Sequence, residues 1–193
     1  INSNTFFVKP KKTVVPEKKY YSTKSSNNMH IVILQPNKKP IIAIDSLPEF
    51  EWKINSNKTK KILGFECIQA ETTFRGSDIV AYFTTALPLS FGPFKFKGLP
   101  GLILEVYNIN DSDSFEWKAK SIKYPYKTND KTKLIFDPSQ YEVEVLSLKS
   151  LIRKYEGKMS SRNRRINTSL PRGVSANSKI VRKRVEKIYE WEK

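Results

Sequence analysis

The chain has 193 residues, 38% hydrophobic and 12% aromatic, which suits one domain with a modest core. It contains no apolar run of about 18 residues, which excludes a membrane-spanning helix. A single cysteine and a single histidine exclude an internal disulfide and a Cys/His metal cluster. The net charge is +16, and residues 149–193 carry 14 Lys/Arg against 4 Asp/Glu, so more than half the excess sits in the last quarter. That asymmetry points to an anionic partner or to a solvated basic surface.

Residues 1–28 are polar and Lys-, Ser- and Asn-rich, and read as an N-terminal arm that cannot bury enough apolar surface to order itself. Within it, Asn4–Val8 can add an edge strand, and Tyr20-Tyr21 can pin the arm to the body. Met29–Ile33 and Pro40–Asp45 are short apolar runs joined by a turn, a hairpin pattern. Phe50–Ile54 alternates apolar and polar, with Phe50, Trp52 and Ile54 expected to face inward. Asn55–Lys58 reads as a turn, Ile62–Phe74 as a long strand bulged at Gly64, Arg75–Asp78 as a turn, and Ile79–Thr84 as the next strand. The turn-dense stretch from Gly92 to Gly101 then leads into a strand at Leu102–Tyr107. A polar loop and an alternating strand at Phe115–Ile122 follow, then a short apolar run at Leu134–Phe136. Helical spacing appears only late. Val145, Leu148, Leu151, Ile152 and Tyr155 recur at steps of three and four, with Ser147 as N-cap and Gly157 as C-cap. Met159–Ala176 reads as an exposed linker, and Asn177–Trp191 as a basic amphipathic helix. The expected fold is mainly β, a curved antiparallel sheet or half-barrel with one or two C-terminal helices. Its parts are an arm (1–28), a β-rich domain (29–158), and a basic linker with helix (159–193).

The hexapeptide Gly98–Ile103, GLPGLI, resembles the name-giving motif of the GLPGLI family of Bacteroidota. The similarity extends over residues 50–107. It takes in Lys61–Cys67 through Ala70, Phe74-Arg75-Gly76, Tyr82-Phe83, Leu87-Pro88 and Gly92-Pro93-Phe94. This resemblance implies an exported protein of the bacterial envelope, periplasmic or associated with the outer membrane, with no established activity. The strand pattern is also similar to the half-barrel of lipoprotein-sorting carriers.

Residue chemistry offers few reacting groups. His30 lies in an apolar strand pattern with no nucleophile motif nearby. Cys67 reads as a small buried residue or a reactive thiol. The carboxylates Glu66, Glu71, Asp78 and Glu105 sit on or beside core strands, where a hydrolase would need two of them at a fixed separation. Arg75 suits an anion or a buried carboxylate. Trp52, Phe94, Phe96, Leu99 and Leu102 either line an apolar cavity or fill a core. Arg164, Arg165, Arg182 and Arg184 are candidate anion contacts. No cofactor and no metal are expected. The expected function is a non-enzymatic subunit of an outer-membrane transport or assembly complex, binding an envelope protein, anionic lipid or lipopolysaccharide rather than nucleic acid. A carrier of a hydrophobic ligand and an enzyme of unknown reaction are the alternatives.

Overall fold

The computed structural model describes residues 17–22, 27–35, 38–109, 114–124, 142–175, 177–178 and 185–192. Among the described residues the fold is mainly β with one α-helix, as expected, but it holds two sheets instead of a single curved one. The first sheet has the order β1 (Glu17–Ser22), β2 (Asn28–Leu34), β3 (Ile41–Ser46) and β9 (Glu144–Ser147). The expected hairpin is the antiparallel pair β2–β3, which sets Val32 opposite Ile42. β9 joins β3 in parallel, so this sheet is mixed. β1 lies in the segment read as an arm, and its Tyr20 and Tyr21 pair with Ile31 and His30. The runs Asn4–Val8 and Leu134–Phe136 lie outside the described residues.

The second sheet is the expected meander: β4 (Lys53–Ile62), β5 (Phe65–Phe74), β6 (Ser77–Thr84), β7 (Leu102–Asn108) and β8 (Glu116–Lys118). Two turns space it. Leu63 and Gly64 have φ of 52° and 85°, and Arg75 and Gly76 have φ of 48° and 80°. Two successive left-handed residues match the twist of a two-residue hairpin. Leu63-Gly64 therefore separates two strands, where the sequence suggested one bulged strand. Asn55–Lys58, expected as a turn, stays inside β4 at a register shift between Asn55 and Thr59. There the Asn57 amide donates to Asn55 Oδ1 at 3.2 Å, so the irregular backbone is satisfied locally. Phe50 and Trp52 reach the core from the segment before β4, whereas Ile54, expected inside, is 47% exposed. β8 is shorter than the alternation at Phe115–Ile122 predicts.

One face of the second sheet carries Ala70, Phe74, Ile79, Ala81, Phe83, Ile103 and Val106, and the β6–β7 connection covers it with Phe96 and Leu99. The glycines of that connection allow its close approach. A Cβ on Gly101 would stand 2.1 Å from the Thr84 carbonyl oxygen, and one on Gly92 would stand 2.8 Å from Ile103 Cβ. The first sheet packs Met29, Ile31, Ile33, Ile41 and Ala43 against Leu148 and Leu151 of helix α1 (Leu148–Asn167). Ser147 caps this helix as expected, its Oγ accepting from the Ser150 amide at 3.1 Å. The helix does not end at Gly157. A mid-helix glycine costs about 1 kcal/mol, and the helix-favouring Lys, Met and Arg that follow carry the helix through it. Val145 lies in β9 and is exposed, off the helix altogether.

The C-terminal segment also departs from expectation. Within it, residues 185–192 form turns and a 3-10 turn at Glu190–Glu192, where a helix over Asn177–Trp191 was expected. The amides of Lys187 and Ile188 donate to the Arg75 carbonyl at 2.9 and 3.0 Å, which takes them away from any helical ladder. The segment bridges both cores: Val185 joins the second sheet's cluster, and Tyr189 and Trp191 join the first's.

Replacing Gly101 by alanine is expected to destabilise the fold by about 3 kcal/mol, because the backbone at Thr84 cannot move aside as a side chain can. Urea unfolding of G101A beside G157A checks this. Gly157 has open space around its Cβ position, so G157A should be neutral or stabilising.

Candidate functional site

Where the two sheets and the C-terminal segment meet, five ionisable side chains are locked together. Arg75, at the β5–β6 turn, is fully buried and spends all five of its N–H groups. Nη2 and Nη1 donate to Asp45 Oδ1 and Oδ2 at 2.8 and 2.9 Å. Nε and Nη2 donate to the two oxygens of Glu190 at 3.1 and 3.2 Å, and Nη1 also donates to Glu186. Lys95, from the β6–β7 connection, donates to Asp45 Oδ2 and Glu186 Oε1, both at 2.6 Å. The Arg75 guanidinium also lies 4.7 Å from the Tyr189 ring centre and 5.1 Å from that of Phe74. Burial pushes the Asp45 carboxyl up, but the Arg75 hydrogen bonds and the Lys95 charge more than reverse this and hold it below its ordinary value. Burial likewise pulls the Arg75 guanidinium down, and its bonds to Asp45 and Glu190 hold it above its ordinary value.

Beside this junction a cleft of about 470 Å³ opens at the end of the second sheet. Glu49, Glu51, Glu71, Asp78 and Glu190 line it, with Lys53 and the rings of Phe50 and Phe74. It is an acidic hollow on a protein of net charge +16. Register fixes its wall: Lys53 lies opposite Glu71, and Thr73 opposite Asp78. Glu71 Oε1 accepts from Gln69 Nε2 at 2.6 Å, and Asp78 Oδ1 accepts from Thr73 Oγ1 at 3.1 Å. Carboxylate oxygens so oriented are acceptors and suit a ligand rich in hydroxyl or amide donors. Among the described residues, no group of three or more His, Cys, Asp or Glu has the arrangement to hold a metal ion.

The residues singled out from the sequence are dispersed. Trp52, Phe94, Phe96 and Leu99 come together in the main core. Trp52 stacks on Phe50 and donates its indole N–H to the Lys97 carbonyl at 2.9 Å, and Phe94 stacks on Trp117. Leu102 packs instead with the small cluster of Ile62, Cys67 and Leu104. Cys67 is fully buried there, and burial pushes its thiol up, so it is a protonated packing group. Arg164 and Arg165 are exposed on α1, where they line a groove of about 820 Å³ with Lys154, Lys158 and Arg162. Arg182 and Arg184 lie outside the described residues. The sequence reading did not single out Asp45, Lys95, Glu186 or Glu190. Two of them left a signal: Asp45 ends the apolar run PIIAID, and Lys95 stands between Phe94 and Phe96. A lone charge inside an apolar run marks a buried, paired ion.

The model of the family described as "N-glycanase peptide, N-terminal domain" matches residues 2–150. Among solved structures, the one described as "Structure of PNGF-II in C2 space group" is similar with a TM-score of 0.53 and 21% identity, over 72% of this chain. The chain spans 24% of that protein's length, and the likeness shows the fold. No curated protein matches the chain. The family match overturns the GLPGLI resemblance, and with it the expected non-enzymatic subunit of an outer-membrane complex. The hexapeptide misled because Gly98–Ile103 answers a local packing demand, the close pass of Gly101 over Thr84, which carries no family identity. The apolar cup of the carrier alternative is occupied by interlocked rings. Export stays compatible with the family, and no described helix is long and apolar enough to cross a membrane.

Truncating Arg75 to alanine is expected to cost about 3–5 kcal/mol, because it takes five charge-assisted bonds from a buried junction and leaves Asp45 with Lys95 as its remaining cation partner there. The pH dependence has a definite sign. Asp45 has a depressed folded value, so its stabilisation is complete above the unfolded value of about 3.9 and is lost as pH falls through the folded one. Thermal unfolding between pH 7 and pH 2 should show that loss in the wild type and a flatter acid limb in D45N, which starts less stable.

Proposed function

We propose that the chain, which belongs to the family of N-glycanase N-terminal domains, works in the release of N-linked glycans as the module that engages the glycoprotein substrate. The observation that carries this reading is the family match over residues 2–150. The chain spans about a quarter of its solved neighbour's length, and the role we assign it is substrate engagement. The acidic cleft supports the reading. A glycan offers many hydroxyl donors and apolar C–H faces, and the cleft pairs Glu71, Asp78, Glu49 and Glu51 with the Phe50 ring. It is also rigid, since Arg75 and Glu190 at its rim belong to the buried ionic junction. We place the protein outside the cytoplasm, in the periplasm or beyond it, where glycoproteins of other cells can be met.

The chain carrying Glu71→Gln with Asp78→Asn should bind an N-glycopeptide about tenfold more weakly than the wild type. Calorimetric titration of both proteins with the same glycopeptide measures this. Unchanged affinity would remove the cleft from the substrate path.

A further inference from the structure

The other hollow on the second sheet has a different character. It lies by the β7–β8 edge, has a volume of about 480 Å³, and is lined by Lys60, Glu105, Tyr107, Asn108, Phe115 and Glu116. Among its lining groups is the Glu105 carboxylate, whose side chain is only 4% exposed. Oε1 accepts from Lys60 Nζ. Among the described residues Oε2 accepts no hydrogen bond, and it faces Lys118 Nζ at 3.2 Å without hydrogen-bond geometry. Lys118 is more than half exposed, so it is free to swing aside at little cost. Two rings flank the group, Tyr82 with its centre 3.8 Å below Lys60 Nζ, and Tyr107 at 6.0 Å. Tyr82 is itself fixed by its hydroxyl, which donates to Gln69 Oε1 at 3.2 Å. Burial, Tyr82 and Glu105 push the Tyr107 hydroxyl up, which keeps it a neutral donor.

This arrangement selects by charge. Glu105 and Glu116 oppose an anion, and Lys60 and Lys118 oppose a cation, so the pocket is balanced toward a neutral ligand. Such a ligand must donate to the unsatisfied Oε2, accept from lysine or amide groups, and lay an apolar face on a tyrosine ring. We infer that the hollow around Glu105 is a binding subsite for one neutral saccharide ring, separate from the acidic cleft. The inference rests on the glycan-engaging reading above and assigns that reading a second contact point, which would let one oligosaccharide bridge two places on the same sheet.

Titrating the 15N-labelled chain with N,N′-diacetylchitobiose tests it. Amide shifts should concentrate on β7 and β8. Tyr107→Ala and Lys118→Met, both on partly exposed groups, should change affinity, the former weakening it about tenfold. Glucosamine and glucuronate should bind more weakly than N-acetylglucosamine. Shifts confined to the Glu71–Asp78 cleft, or affinities indifferent to both substitutions, would overturn the subsite and leave the substrate reading standing. Failure of both chitobiose and an intact N-glycopeptide to bind would overturn the reading and the subsite together.

Discussion

The fold depends on the ionic junction at Arg75. It draws one charge from each part that must be held: Asp45 from the first sheet, Arg75 from the second, Lys95 from the connection over the main core, and Glu186 and Glu190 from the C-terminal segment. Buried ion pairs lose much of their Coulomb gain to desolvation, so their worth lies in specificity more than in strength. Here the specificity is geometric. Apolar contacts alone would let the two sheets slide, since hydrophobic burial is non-directional. Five directed bonds from one guanidinium, with the Arg75 carbonyl fixing Lys187 and Ile188, leave one arrangement satisfied.

Much of the fold follows from sequence pattern. Period-2 alternation and glycine-marked turns located most strands of the meander and the β2–β3 hairpin, and Ser147 marked the start of the helix. The failures share a cause. Local chemistry predicted a turn at Asn55–Lys58, a helix end at Gly157 and a helix near Tyr189, and each time a distant partner or a favourable flank prevailed. The parallel pairing of β9 with β3 had no local signature, because about a hundred residues separate the two strands.

The candidate site was harder to read. Arg75 was visible as a residue suited to a carboxylate, but its partners stand 30, 111 and 115 positions away. Glu71, Asp78 and Glu105 were visible only as carboxylates on strands. Register then sorts them, placing Glu71 and Asp78 at the end cleft and Glu105 among lysines and tyrosines nearer the β7–β8 edge. Trp52, Phe94, Phe96 and Leu99 pack in the main core, and Leu102 packs with Ile62, Cys67 and Leu104. The apolar side chains thus serve packing, while the carboxylates of the two hollows stand at the surface on a scaffold held by the buried Arg75 junction.

The most direct measurement is calorimetric titration of this chain with an N-glycopeptide and, separately, with the same peptide stripped of its glycan. Tighter binding of the glycosylated form than of the bare peptide is expected, because the glycan adds a dense array of hydroxyl donors that the acceptor-rich surface can take up. Equal binding of the two peptides, or binding of neither, would contradict it.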